Sequence, residues 1–466
     1  MSAYTFFDFT LSFVYAIFII GIVSYWRNIY RIKKYSKGLG SNPVSLRKLR
    51  ILARQKNTPF PKFAILVPAR NEGDVIANTI QNLVELSYPK ASYSIYIIVD
   101  ERELQDAVER RTKDIVHSVS SELNARYGKH FIHCVEVPEW YSGILNDTKH
   151  TDQKSTKGRA LNYALQTLLN DTHSHTIDMI GVLDADGRLH PHVLKEVAYK
   201  RLSQNSMLLQ GPVFQITNFL QASLTGKIAG LELAIHHLTE VADHLMSGWR
   251  FQFLAGTNYF IDKNLIAQVR GWNQHALVED AELALRIYAQ TGITAQWLNW
   301  VEQEQTSPSF RIYRKQRERW ARGHLHLLAY IRHSRIPRWE KIALSHKILS
   351  DQYRVLFDIG LPIFAISLIF FGALRDLSFF FTFLSMVSLA MIIFIWDIYG
   401  FTYRTISGFI DPTPSMRNKI KLSIKLFFFT PILIIIQAIP RIEAIINFIF
   451  RPNQMEWYKT ERTREL

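Results

Sequence analysis

Three short apolar runs, two of them closed by an aspartate, constrain this chain most. Phe63-Ala-Ile-Leu-Val67 runs into Pro68, Tyr93-Ser-Ile-Tyr-Ile-Ile-Val99 into Asp100, and Met179-Ile-Gly-Val-Leu183 into Asp184. Runs of this length and composition read as buried strands rather than helices. A helical stretch, Asp74–Leu86, follows the first of them. Strands alternating with helices imply an α/β domain built on a mostly parallel sheet, with ligands gathered at the carboxyl ends of the strands. Asp100 and Asp184 stand at two such ends, so a site is expected there. The domain is placed at residues 61–323.

The rest of the chain is apolar in long stretches. Phe6–Trp26 is apolar apart from Asp8, and no Lys or Arg precedes Arg27. Its length suits a membrane span, and the distribution of charge puts the N-terminus outside and the following domain in the cytosol. Residues 1–30 are accordingly read as a transmembrane helix and 31–60 as a basic juxtamembrane linker. His324–Ile331 and Trp339–Tyr353 mix apolar and basic residues as helices lying on a membrane surface do, so 324–354 is read as interfacial. Val355–Leu374, Leu377–Gly400 and Leu426–Phe450 read as further spans within 355–450, the last interrupted by Pro440, Arg441 and Glu443. Phe401–Lys425 is read as a cytosolic loop and 451–466 as a tail. Aromatics, including 30 Phe, concentrate in these apolar stretches. The expectation is a multi-pass integral protein of the plasma membrane, with the lipid bilayer as a partner and the catalytic domain cytosolic.

The formal charge of +15 would suit a nucleic-acid binder. No nucleic-acid partner is expected, because the basic residues cluster beside apolar spans, as in Arg31-Ile-Lys33-Lys34 and Arg47-Lys48-Leu-Arg50, where anionic headgroups would meet them. The single cysteine, Cys134, excludes an intrachain disulfide and a thiolate-built zinc site. His324 and His326 have metal-like spacing but no third ligand nearby, and are read as interfacial.

Three motifs follow in order: Asp184-Ala-Asp186, Glu279-Asp280, and Gln316-x-x-Arg319-Trp320. Paired carboxylates can hold a hard divalent cation against a diphosphate leaving group. A carboxylate at a helix start can take a proton from an attacking hydroxyl. Gln316, Arg319 and Trp320 share one helix face, where a guanidinium suits phosphate oxygens and an indole suits a sugar ring.

In this order the motifs resemble those of the membrane-integrated, processive glycosyltransferases of family 2, which include cellulose, chitin and hyaluronan synthases. The resemblance covers about Phe63 to Gly323. It implies a GT-A fold, inversion at the sugar carbon and a nucleotide-sugar donor. It makes Asp280 the general base with Glu279 beside it, and Asp184 and Asp186 the holders of Mg2+ or Mn2+. Asp184 also lies near the nucleotide sugar, as does Arg319, while Gln316 and Trp320 serve the acceptor.

Three weaker matches add residues. Pro68-Ala-Arg70-Asn71-Glu72 resembles the strand–loop bordering the nucleotide. Lys157-Gly-Arg159-Ala-Leu-Asn162 resembles a stretch in which Lys157 meets phosphate and Asn162 helps hold the strand ends. Phe253-Leu-Ala-Gly256-Thr257-Asn258 resembles the acceptor-side loop. The second strand departs from the family, ending Val99-Asp100-Glu101-Arg102-Glu103. Asp100 can still contact ribose or base, but uridine and guanosine both stay open, with a UDP-sugar favoured over a GDP-sugar. The function implied is processive addition to a β-linked polysaccharide coupled to export, with a glycan acceptor and an accessory export or regulatory subunit as a possible partner. The alternative is a non-processive enzyme that glycosylates a lipid acceptor.

Overall fold

The computed structural model describes residues 23–105, 110–127, 131–146, 155–171, 176–247, 251–350, 352, 397–411 and 415–451. Among them lie nine strands: β1 (Phe63–Ala69), β2 (Tyr93–Asp100), β3 (Ile132–Val137), β4 (Met179–Val182), β5 (Leu208–Gln210), β6 (Val213–Gln215), β7 (Tyr259–Asp262), β8 (Gln296–Trp297) and β9 (Glu302–Glu304). Seven form a sheet in the order β3-β2-β1-β4-β7-β5-β8, and β6 pairs with β9. The pairs β1–β2, β1–β4, β2–β3 and β5–β8 are parallel, whereas β7 runs antiparallel to both β4 and β5. The sheet is therefore mixed α/β, as the alternating pattern implies, with β7 reversed.

The central strands are apolar on both faces because both faces are covered. Ile65, Val67, Ile95 and Ile97 enter one buried cluster, while Ala64, Leu66, Tyr96 and Ile98 enter the other. Strand β1 continues through Pro68 rather than ending before it, pairing Pro68 with Ile98. Leu66 faces β4, since its carbonyl accepts from Leu183 N at 3.0 Å. Pro68, on the same side, lies beyond the last β1–β4 pair at Leu66 and Val182, where no ladder bond is needed. Chain order turns back between β1 and β4, which opens a crevice at their carboxyl ends.

Several segments read as linker or membrane belong to this globular body. The stretch 31–60 is not an extended linker. Helix 23–38 buries Ile32 and Tyr35 in the main core, and the Leu46–Gln55 helix buries Leu49 and Ala53. The Phe310–His333 helix runs unbroken through Gly323, so no boundary falls there. The expected loop 401–425 is largely helical. Within it, the Ile398–Ile410 helix buries Tyr403 and Ile406, with Tyr403 stacked on Phe219 at 5.8 Å.

Leu426–Phe450 is part of one 35-residue helix, Met416–Phe450, which continues through Pro440. The charges that interrupt its apolar run are helix-packing partners. Arg441 reaches Glu232 at 3.3 Å, Glu443 pairs with Arg314, and Asn447 donates to Glu318 at 2.9 Å. Among the described residues, no helix is long and apolar enough to cross a membrane, which overturns the multi-pass integral-membrane expectation. The expected span 355–374, residues 377–396 of the expected span 377–400, residues 452–466 of the expected tail 451–466 and residues 6–22 of the expected span 6–26 lie outside the described residues.

Candidate active site

A cavity of 270 Å³ opens at the crevice between β1 and β4. Pro68, Arg70 and Glu72 line it from the end of β1, Asp100 from β2, and Asp184 from the turn after β4. Lys157 enters at the start of the Lys157–Asn170 helix, which Thr156 caps by accepting from Arg159 N. Glu279 and Asp280 come from the first turn of the Glu279–Thr291 helix, and Gln316, Arg319 and Trp320 from one face of the Phe310–His333 helix. Residues more than two hundred positions apart thus face one space because the sheet order folds their elements over the same strand ends.

Lys157 organises the floor. Its ammonium is hydrogen-bonded to Asp184 Oδ1, donates to the Gly256 carbonyl at 2.8 Å and lies 4.0 Å from Glu279 Oε1. Burial works against its charge, but the carboxylates of Asp184 and Glu279 outweigh burial and hold it above its ordinary value. Burial, followed by the charge of Asp280, pushes Glu279 up to about 7. Burial also raises Asp280, against the pull of Lys157. Gly256 sits at φ +80°, and a Cβ there would lie 2.9 Å from Asp280 Oδ2, so a glycine lets this loop press against the carboxylate.

Asp100 lines the cavity but is strongly engaged by the protein. Arg159, wholly buried, donates to its Oδ2 at 2.7 Å, and Ser155 Oγ does so at 2.6 Å. The same guanidinium donates to the carbonyls of Tyr141 at 2.9 Å and Glu139 at 3.2 Å. Arg159 thereby ties β2, the segment after β3 and the Lys157 helix together beneath the site.

Four expected site residues do not line the cavity. Asn162 is a buried clamp whose amide donates to the carbonyls of Gly143 and Trp272, each at 2.7 Å, and accepts from Trp272 N at 2.7 Å. Asn258 donates to the carbonyls of Pro212 and Trp300. Thr257 accepts from Asp184 N at 3.0 Å and donates to Glu302 at 2.6 Å, which braces the acidic turn from below. Asp186 is 1% exposed and accepts from Gln305 N at 2.9 Å. At the Phe310–His333 helix, Ser307 donates to Gln316 at 3.2 Å, Arg319 donates to the Leu277 carbonyl at 2.7 Å, and Arg317 lies 4.4 Å from the Trp320 ring centre. His324 packs edge-on to Phe253 and His326 against Phe448, so the two histidines serve different contacts.

Asp184 presents a carboxylate to the cavity, while Asp186, Glu302 and Glu304 are buried. Burial, then Glu304, Asp184 and Asp186, raise Glu302 well above its ordinary range. A donor set of carboxylates suits a hard divalent cation, and donor phosphates can complete such a shell. Among the described residues, three ligand-type side chains come within 4.8 Å of one another at His117, Cys134 and Glu136. There Lys113 already holds Glu136 at 2.6 Å. Arg159, Glu302, Gln215 and His237 were not singled out by the sequence. A buried arginine on the Lys157 helix and alternate acids in β9 are visible in the chain, but their partners are remote.

The chain matches the family described as glycosyl transferase family group 2 over residues 179–403, a span that holds the three acidic and aromatic motifs. It is 25% identical over 425 residues to the probable glycosyltransferase YdaM of Bacillus subtilis (strain 168), covering 88% of this chain and 89% of that protein. It is 24% identical over 266 residues to a beta-monoglucosyldiacylglycerol synthase of Synechocystis sp., covering 57% of this chain and 48% of the synthase. Among solved structures, the mannosyltransferase PcManGT of Pyrobaculum calidifontis, in complex with GDP-Man and Mn2+, superposes with a TM-score of 0.49 at 15% identity, over 93% of this chain and 98% of the other.

Proposed function

We propose that this chain, a family 2 glycosyltransferase of the hexosyltransferase kind, moves a sugar from a nucleotide-sugar donor to a hydroxyl of a lipid acceptor, with inversion at the sugar carbon. The observation that carries this reading is the meeting of Lys157, Asp184, Asp280, Arg319 and Trp320 in one cavity. Similarity to a glycolipid synthase favours a lipid acceptor over a growing polysaccharide. The described helices lend no support to export through the membrane.

Asp280 takes the acceptor proton as the hydroxyl oxygen attacks. Its burial keeps it more basic than a free aspartate, and Lys157 keeps it ionisable. Lys157 and Arg319 meet the diphosphate, so charge gathering on the leaving oxygen faces fixed cations in a site of low dielectric. Asp100, pinned by Arg159, holds the nucleoside side of the crevice, bordered by Pro68, Arg70 and Glu72. Trp320 offers its indole to the sugar, with its ring steadied by Arg317. Asp184, which lines the cavity, would hold Mg2+ or Mn2+, which when bound would neutralise the leaving diphosphate, and Asp186, buried and accepting from Gln305 N, would brace that turn.

The test is donor turnover by purified protein with Mg2+ or Mn2+, a panel of UDP- and GDP-sugars, and dioleoylglycerol in mixed micelles. One discrete glycolipid is expected, and Asp280→Asn should reduce its formation by about 10²–10⁴-fold while the protein stays folded. A ladder of products would replace the lipid reading with polymerisation. If no donor releases nucleotide, the transferase assignment of this cavity fails.

A further inference from the structure

The Trp320 indole is backed by side chains whose identity the motif around it leaves open. Tyr313, Arg317 and Trp320 stand at i, i+4 and i+7 of the Phe310–His333 helix and so share one face. The Arg317 guanidinium lies 4.4 Å from the Trp320 ring centre and 5.4 Å from that of Tyr313. Trp320 lines the cavity and Arg317 does not, so the cation rests on the ring without filling the space a substrate needs.

One carboxylate from another helix holds this ladder. Glu232, on the Leu224–His236 helix capped by Ser223, accepts from the Tyr313 hydroxyl at 3.1 Å and pairs with Arg317 at 3.3 Å, both through Oε2. Its Oε1 pairs with Arg441 of the Met416–Phe450 helix, also at 3.3 Å. Arg317 has a second anchor beside Glu232, the Ala229 carbonyl at 3.3 Å. Thr306 Oγ1 donates to the Gly226 carbonyl at 2.6 Å, which seats the start of the Leu224–His236 helix against the segment leading into Phe310. Glu232, Arg317 and Arg441 are all largely buried, so water screens their charges only in part.

A pair between packed helices needs one arginine on Glu232, and here there are two. Each guanidinium is kept near the other by the negative charge between them. Without that charge Arg317 and Arg441 repel, and it is the movement of Arg317 that reaches the cavity, because Arg317 lies against Trp320.

We propose that Glu232 is a positioning residue for the transfer reaction, and that it sets the orientation of the Trp320 indole by acting through Arg317. The proposal rests on the reading of Trp320 as the platform for the sugar given above. Glu232 does not line the cavity, and the proton still passes to Asp280.

The experiment reads the ring first and then the reaction. The full chain is labelled with fluorotryptophan, and the fluorine NMR line of Trp320, one of ten tryptophans, is assigned by its loss in Trp320→Phe. Glu232→Gln should move that line. Arg314→Gln, which breaks the pair with Glu443 on the same helix, should leave it in place. In donor turnover with dioleoylglycerol in mixed micelles, Glu232→Gln should lower kcat about tenfold and shift the donor KM by less than about twofold, since Lys157 and Arg319 are untouched. In an Arg317→Met background the same substitution should cost less than about twofold more. Adding Arg441→Gln to Glu232→Gln should recover part of the loss and return the line towards its original position, because the repulsion is gone. A merely structural Glu232 would make the two losses add. An unmoved Trp320 line in folded Glu232→Gln, or a loss of kcat undiminished in the Arg317→Met background, overturns the proposal. If no donor releases nucleotide, the transferase reading falls, and the fluorine line still decides whether Glu232 sets the indole. Glu232→Asp keeps the charge but withdraws it by one methylene. It should move the line and kcat in the same direction by less, and it decides the outcome if Glu232→Gln does not fold.

Discussion

Glu279 illustrates how a buried site sets the chemistry of its own side chains. The carboxyl is held at about 7 against an ordinary 4.5, by burial and by Asp280. The folded state therefore keeps a proton that the unfolded chain releases, and stability is lost as pH rises from 4.5 through 7. Glu279→Gln cannot ionise and escapes that loss. Its advantage over the wild type should be absent near pH 4.5 and should reach on the order of 1–3 kcal/mol above pH 7, read as a Tm difference that widens with pH. A constant difference would disprove the raised carboxyl. Arg159 is a charge that burial disfavours, pulling it below its ordinary value, and that its partners, Asp100 first, hold in place. Its guanidinium satisfies Asp100 and backbone carbonyls at once, so the Asp100 side of the crevice is fixed before any ligand arrives.

At the scale of elements, the site depends on how closely two helices approach. The Phe310–His333 helix carries Gln316, Arg319 and Trp320, and crosses the start of the Glu279–Thr291 helix at Gly323. A Cβ at Gly323 would lie 2.8 Å from Val278 Cγ1 and 3.2 Å from Leu277 Cβ. In an exposed helix, Gly→Ala would add about 1 kcal/mol of stability. Here the added methyl meets a stiff β-branched side chain next to Glu279. Gly323→Ala should instead cost about 1–3 kcal/mol in urea unfolding and lower donor turnover, because the segment that moves carries the proposed base. A gain in both would show the contact to be slack. The π turn at His237–Val241 is the other element-scale device, since it changes which residues of one continuous helical run face the cavity.

For the whole molecule, the decisive feature is the docking of the C-terminal helices onto the sheet domain. Tyr403 stacks on Phe219, Phe409 meets Phe214 edge-on at 5.8 Å, and Arg441 joins Arg317 on Glu232. Ile406 is fully buried in the main cluster. If these helices are structural, Ile406→Ala should destabilise the protein by about 2–5 kcal/mol, as for any core position, in one transition shared with the sheet domain. An early separate transition would mean that the C-terminal helices fold as an independent unit. They also anchor the helix bearing Trp320, through Glu443 to Arg314 and Asn447 to Glu318.

The sequence alone determined the parallel strands, because burial on both faces demands the unbroken apolar runs at 63–67, 93–99 and 179–183. It also marked Asp184, Asp280 and Trp320, whose neighbours along the chain form part of the motif and which the fold brings to one cavity. Strands β5 to β9 carried too few residues for a periodic signal. The partners of Arg159 are brought up by sheet order, and His237 sits in a π turn, and neither leaves a local pattern. The apolar stretch at 426–450 was ambiguous for a related reason. Hydropathy counts how apolar a helix is but not what it faces, and only tertiary packing assigned Arg441 and Glu443 to Glu232 and Arg314 rather than to a membrane boundary.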